Sequence, residues 1–374
     1  MKLELTRQEF MKSWQLVAKF SNVRFVVTEF GVTLEATDLK SSVKCNALGV
    51  NVLETGSALI PTETFGNMLK KSNEEDLLLE VNSSRGLLRA GRNKMRFPVM
   101  PIEEFPQIPT IEGANYICEI NANSLAKLIN EGSAAASQPQ DFPRYLGTCL
   151  LKLEDYYLKA VSTDGKRLAV AKVPCVENNG IEDDILVLAQ SLKEVSKTLT
   201  LDTNVKIYAD AATVWFQVEN IELSLRKVDA TFPQYNRILN DEVYTRLKFH
   251  APDLIPVLDR VDIIAKTNPA HIMAMTLYNN EVRVTSRSAE HGVVTEVFYG
   301  ETSENGLTVG FNADFFIAGV KALGNSEAVI EFSGEDTQMR MMREGDDSFL
   351  YMLMPARLSN VDFLTDEEME IVNV

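Results

Sequence analysis

Apolar residues recur along the chain in one order, three times over. Each time a helical face comes first: Phe10, Trp14 and Val17 stand at i, i+4 and i+7, Leu125, Leu128 and Ile129 repeat that face, and Leu254, Leu258 and Val261 repeat it again. Such a stripe needs a sheet to cover it, and strand patterns follow directly. Val32 and Leu34 alternate with Thr33 and Glu35, Val282 and Val284 alternate with Arg283 and Thr285, and 157–161 is similarly extended. A second helix is predicted in each copy: over 63–71 after Pro61, over 191–199, and over 313–323 with Asn312 placed to cap it. Strand pairs close each copy, most plainly 205–218 followed by Ile221, Leu223 and Leu225 alternating with Glu222, Ser224 and Arg226.

The copies repeat at roughly 120–130 residues, a period of duplicated domains rather than of a short-repeat solenoid. Two helices backed by antiparallel sheet make an α+β unit. Proline and glycine punctuate the joints, at Phe105-Pro106-Gln107-Ile108-Pro109 through Gly113 and at Phe232-Pro233-Gln234-Tyr235, with a third stop near Met354-Pro355. The predicted domains are 1–115, 116–243 and 244–358. Beyond them, 359–374 is an acidic tail carrying Asp362, Asp366, Glu367, Glu368 and Glu370, the kind of segment that stays flexible.

A length of 374 residues suits two or three such cores. No apolar run is long enough to span a membrane, and the first ten residues carry Lys2, Glu4, Arg7 and Glu9, so neither a span nor a signal peptide is expected. Cys45, Cys118, Cys149 and Cys175 fall singly, without zinc or redox spacing, and read as reduced thiols of a cytoplasmic protein. His250, His271 and His291 have no metal-ligand neighbour at helical spacing. A formal charge of −16 argues against gripping nucleic acid over the whole surface, yet leaves room for a locally basic lining. The phosphate-loop, dinucleotide, nucleophile-elbow and zinc-protease motifs are all missing from the sequence.

Five segments spread over all three copies resemble the bacterial beta clamp, the beta subunit of DNA polymerase III. They are Ser162-Thr163-Asp164-Gly165-Lys166-Arg167-Leu168-Ala169-Val170; Gly91-Arg92 with Phe105-Pro106; Phe232-Pro233-Gln234-Tyr235; Gly310-Phe311-Asn312; and Tyr351-Met352-Leu353-Met354-Pro355-Ala356-Arg357-Leu358. The resemblance covers nearly the whole chain up to Leu358. It implies three clamp domains per chain and two chains joined head to tail into a ring. It also implies a non-enzymatic replication processivity factor without cofactor. The partners so implied are a second copy, double-stranded DNA held without sequence preference, the polymerase III alpha subunit, a clamp loader, and other polymerases and repair proteins with clamp-binding peptides; no membrane is involved.

A closed ring stays on DNA by topology, so weak phosphate contacts suffice. Basic side chains expected to face DNA are Lys12, Lys19, Lys70 and Lys71, then Lys127, Lys193 and Lys197, then Arg260, Lys266 and Lys321; each also reads as an ordinary solvated charge. Gln140 and Arg92 match family positions near the DNA. The family's basic loop after the first helix is missing, because Phe20-Ser21-Asn22-Val23-Arg24 runs almost directly into a strand. For ring closure the family pairs edge strands of the first and third domains, which brings in Met95 and Phe97 on one side and Ile263 and Ile264 on the other, with intradomain core as the competing reading.

The resemblance places a partner-peptide pocket between the second and third domains. Leu146, Thr163, Gly165, Lys166, Arg167 and Leu168 form one side. Pro233, Arg237, Ile238, Met352, Met354, Pro355, Ala356, Arg357 and Leu358 form the other. By itself Thr163-Asp164-Gly165 reads as a hairpin turn, which is compatible with a pocket wall. Flexible methionines suit a site that accepts several peptides ending in Leu or Phe. Ala356 is smaller than the methionine common in the family, and the chain continues past the Arg-Leu pair; the extension is either inert or a self-ligand through Val361-Asp362-Phe363-Leu364. Two rival readings remain: a peptide-binding scaffold without stable ring closure, and an enzyme acting on nucleic acid.

Overall fold

The computed structural model describes residues 1–82, 84–180, 183–199, 203–239, 243–303 and 306–358, so the acidic tail and its Val361–Leu364 segment lie outside the described residues. Six helices appear among those described, two per copy as the periodicity predicts: α1 (Arg7–Val17), α2 (Thr62–Lys71), α3 (Ala122–Gly132), α4 (Ala189–Thr198), α5 (Ala251–Ala265) and α6 (Ala313–Leu323). Each copy opens not on its helix but on a strand, Lys2–Thr6, Asn115–Asn121 and Thr245–His250. The first of these has only Leu3 and Leu5 as inward positions, too short an alternation to stand out beside the helix that follows.

The described chain divides into two compact units. The first comprises Met1–Leu125, Glu194–Lys227 and a short segment starting at Cys175; the second comprises the remainder. In the first unit a five-stranded sheet runs Val50–Glu54, Lys2–Thr6, Asp76–Val81, Arg85–Ala90, Asn93–Pro98, which leaves Asn93–Pro98 as an edge. A nine-stranded sheet in the same unit joins two copies, because Ser41–Asn46 of the first pairs antiparallel with Ile221–Arg226 of the second. Between the sheets sit Phe10, Trp14, Phe25 and Phe65, with ring centroids 4.9–6.4 Å apart and no ring exposed. Truncating any of them to alanine is expected to cost about 3–5 kcal/mol, because a close-packed aromatic leaves a cavity its neighbours cannot fill.

The second unit repeats the plan. Its nine-stranded sheet joins the second and third copies by pairing Arg167–Pro174 with Asp346–Leu353. Its four-stranded sheet runs Gly292–Tyr299, Glu281–Ser288, Ile272–Tyr278, Leu307–Asn312, with Gly292–Tyr299 at the edge. Leu254, Leu258 and Val261 of α5 are fully buried, as their spacing predicts, and Phe311 stacks on Phe316 of α6 at 4.1 Å. The side chain of Asn312 caps α6 by accepting the Phe315 N–H at 3.2 Å. Among the described residues no helix is long and apolar enough to cross a membrane.

The short passage after α1 is as the sequence indicates, with strand Asn22–Thr28 starting five residues past Val17. Arg24 lies inside that strand. It pairs with Glu35 on the neighbouring strand and stacks over the Phe105 ring at 4.8 Å, so it serves the sheet rather than a loop.

Candidate partner-binding groove

In the second unit, strands Tyr157–Thr163 and Arg167–Pro174 are joined by the Thr163–Arg167 turn. Gly165 adopts φ +85°, a left-handed conformation that glycine takes without strain. Asp164 fixes this turn by accepting the N–H groups of Lys166 and Arg167 at 3.0 and 3.1 Å, while the Thr163 hydroxyl donates to the Arg167 carbonyl at 2.6 Å. The Arg167 guanidinium is nearly enclosed. It meets Asp164 at 2.8 Å, donates to the Tyr351 hydroxyl at 3.3 Å and lies over the Phe315 ring at 4.2 Å. Tyr351 in turn donates to the Phe315 carbonyl at 2.8 Å. Burial pushes its hydroxyl up to about 12, against the pull of Arg167, so it stays protonated and able to donate.

Behind the turn, Leu168 sits opposite Met352 in the ladder, and the two share a buried cluster with Leu150, Val161 and Leu186. Phe232, Tyr235 and Leu239 pack against this cluster from the segment that enters the third copy. That segment is tied down: Gln338 donates to the Ile238 carbonyl and Arg340 to that of Leu239, each at 3.0 Å. Above the floor lie exposed Pro233, Arg237 and Ile238 and half-buried Leu146.

The last described residues lie against the same turn and against Gly310. The Met354 N–H donates to the Lys166 carbonyl and the Ala356 N–H to the Gly310 carbonyl, both at 2.9 Å, and the Met354 side chain is left half exposed. Gly310 lets this segment approach, since a Cβ there would fall 2.5 Å from the Ala356 carbonyl and 2.6 Å from the Leu358 side chain. Thus the two expected sides meet at Leu168 with Met352 and at Lys166 with Met354. Leu168, Met352 and Thr163 form buried floor, Pro355, Ala356 and Leu358 are half-buried, and Gly165, Lys166 and Arg357 stand exposed at the rim. Sequence reasoning read Asp164 only as part of its turn, and missed Phe315, Val161 and Leu186 as supports. Of these only Asp164 carried a local signal, as the turn-forming residue before glycine.

Most basic side chains expected to face DNA have carboxylate partners. Lys12 meets Glu9 at 2.8 Å, Lys127 meets Glu131 at 3.9 Å, Arg260 meets Glu296 at 2.7 Å, Lys266 meets Asp262 at 2.5 Å and Lys321 meets Asp259 at 3.7 Å. Lys19 and Lys197 share Glu194 at 3.8 and 2.6 Å, and burial draws the Lys19 ammonium below its usual range. Lys70, Lys71, Arg92 and Gln140 are exposed, whereas Lys193 is half-buried, with Cys149 and Arg167 as its electrostatic neighbours.

Met95 lies on the edge strand Asn93–Pro98 and lines a cavity of about 700 Å³ together with Met68, Leu88 and Ala90. Phe97 faces the same side but is buried, its ring 5.6 Å from Phe65 and so close over Gly86 that a Cβ there would clash. Ile263 stands two-thirds exposed on α5 and Ile264 is half-buried beside it.

Sliding clamps are built from copies of one helix-and-sheet unit joined edge to edge, and comparison with known proteins sets the chain among them. Family models for the DNA polymerase III beta subunit match residues 1–109 as the N-terminal domain, 119–234 as the central domain and 236–357 as the C-terminal domain. The chain belongs to the DNA polymerase III beta-subunit family. The beta sliding clamps of Staphylococcus epidermidis and Staphylococcus aureus are each 24% identical to it over 311 residues, covering 82% of either chain. The sliding-clamp crystal structure from Bacillus subtilis shares the fold with a TM-score of 0.89 at 20% identity, over 96% of this chain and 100% of that one. The griselimycin-bound clamp of Pseudomonas aeruginosa does so at 0.89 and 22%, with the same coverage.

Proposed function

We propose that the chain, as a replication processivity factor, closes with a second copy into a ring around duplex DNA and tethers a polymerase through the groove of its second unit. The observation that carries this reading is the convergence of three segments, Thr163–Leu168, Phe232–Leu239 and Met352–Leu358, on one apolar floor around Leu168 and Met352. An extended peptide with a Leu or Phe end finds there an apolar seat with flexible methionines, held rigid from below by Arg167 and Tyr351. The three domains are taken as 1–115, 116–243 and 244–358, close to the family matches.

Ring closure is supported by two of the edge strands. Strand Asn93–Pro98 offers Met95 and a cavity with an apolar wall; strand Gly292–Tyr299 lies beside α5, whose Ile263 projects into solvent. Ile263 is the side chain that fits the cavity, and pairing the edges removes two strand rims that would otherwise invite aggregation. Phe97 acts from behind, holding the edge strand against its own core. The DNA contact falls to Lys70, Lys71, Arg92, Gln140 and the partnered basic side chains, each pair offering weak, sequence-independent attraction. The reaction is non-catalytic and needs no cofactor. Partners are the polymerase III alpha subunit, a clamp loader, and other polymerases and repair proteins with apolar-ended peptides. A cytoplasmic setting fits four cysteines that form no disulfide among the described residues.

Retention on DNA tests the proposal. After loading, the protein is expected to remain on closed circular DNA through a salt wash and to leave once the circle is cut. Equal retention on both, or loss from both, rejects encirclement.

A further inference from the structure

The duplicated copies give the chain two junctions of the same build, one in each unit, and they can be superposed hydrogen bond by hydrogen bond. In the second unit the Gly165 N–H donates to the Thr163 hydroxyl, the Thr163 hydroxyl to the Arg167 carbonyl, and the next two N–H groups to Asp164. In the first unit the Leu39 N–H donates to the Thr37 hydroxyl at 3.0 Å, the Thr37 hydroxyl to the Ser41 carbonyl at 2.8 Å, and the next two N–H groups to Asp38 at 3.0 and 2.7 Å. Met354 crosses to the Lys166 carbonyl at 2.9 Å, and Arg226 crosses to the Lys40 carbonyl at 2.9 Å. Val228 reaches the Leu186 carbonyl at 2.7 Å, and Met100 reaches that of Leu59 at 3.0 Å.

With the frames aligned, the strand registers pair off the floor positions. Leu150 lies opposite Val161 and Leu186, and Leu168 lies opposite Met352. Their counterparts are Arg24, opposite Glu35 and Leu59, and Ser42, opposite Ser224. One backbone therefore carries an apolar floor in the second unit and a polar one in the first. The Arg24–Glu35 ion pair stands where Leu150 and Val161 do, with Arg24 covered by Phe105. The buried Ser42 and Ser224 hydroxyls, 2.6 Å apart, stand where Leu168 and Met352 do. An apolar peptide end laid on that floor would strip water from a charged pair and gain almost no apolar contact, which opposes binding.

We infer that the Arg24–Glu35 and Ser42–Ser224 pairs are specificity determinants that confine apolar peptide binding to one of two structurally equivalent junctions in each chain. The inference rests on the peptide-binding reading of the second unit.

The test transplants the floor. A variant carrying Arg24→Leu, Glu35→Val, Ser42→Leu and Ser224→Met is titrated calorimetrically with a synthetic peptide ending in Leu-Phe, beside the wild type. Wild-type protein is expected to bind one peptide per chain and the variant to show a second, weaker event. A folded variant, with wild-type circular dichroism and elution volume, that still binds one peptide overturns the inference, as does wild type that already binds two. Wild type that binds none overturns the peptide-binding reading itself, a separate outcome. Should the variant fail to fold, the wild type is labelled with the same peptide bearing a photoreactive end. Labelling confined to the Thr163–Lys166 turn supports the inference, and equal labelling at Thr37–Lys40 overturns it.

Discussion

The guanidinium of Arg343, on strand Met339–Arg343, is held against the carboxylate of Glu131 in α3, 212 positions earlier in the chain. Both are nearly enclosed, and Arg343 also donates to the carbonyls of Leu323 and Ala322 at the end of α6. One side chain thus ties the second copy to two elements of the third.

The two partners are predicted to respond unequally to removal. Burial raises the Glu131 carboxyl above its usual range despite Arg343 and Lys127, which pull the other way. A raised acid stabilises the fold most when protonated, so its contribution is complete below about pH 4.3 and is lost as pH climbs through the raised value. Glu131→Gln is therefore expected to change the thermal midpoint little at pH 7 and to flatten its pH dependence from about 4.3 upward. Arg343→Ala, which leaves a buried carboxylate unpaired, is expected to cost about 3–5 kcal/mol. Thermal unfolding followed by circular dichroism between pH 4 and 8, a range spanning about 4 units around the carboxylate titration, checks both.

Gly310→Ala is predicted to weaken peptide binding. The added methyl meets the Ala356 carbonyl, so residues 354–358 must lift away and the rim formed by Met354 moves with them. The cost of such overpacking is about 1–3 kcal/mol, read by fluorescence anisotropy as a roughly tenfold to hundredfold rise in Kd. An unchanged Kd would remove the 354–358 segment from the groove.

For assembly, Ile263→Asp and Met95→Asp are each expected to weaken the dimer by at least about 2 kcal/mol, roughly thirtyfold in its dissociation constant. Light scattering across a dilution series measures this. Phe97→Ala should instead lower the thermal midpoint of the chain itself, because its ring belongs to the core beside Phe65.

The thiols give a second pH dependence. Burial pushes Cys45 and Cys149 up to about 12, and Cys118 is raised by its hydrogen bond with Cys175 and by burial. Acids raised by folding stabilise only while the unfolded chain also stays protonated, so stability is expected to fall above about pH 8.5. In native protein a thiol reagent at neutral pH should modify half-buried Cys175 first, with all four cysteines reacting after unfolding.

Much of the architecture was legible because it repeats: three helical faces, three second helices and the Asn312 cap each have local signatures. The strands that open each copy were hidden because Leu3 and Leu5 give too few alternations to compete with a neighbouring helix. In the groove, the Asp-Gly turn announced itself, whereas Tyr351 meeting Phe315 and Arg167 depends on strand register, which no local pattern encodes. Basic residues were the least legible. Lys193 and Lys197 sit one turn apart on α4, yet one leans into the sheet and the other into solvent beside Glu194.

Within a chain, neighbouring copies meet through backbone ladders of five residue pairs each, Ser41–Cys45 against Ile221–Leu225 and Arg167–Ala171 against Leu353–Phe349. A pull along such strands loads every rung together, whereas a lever at one end parts them in succession.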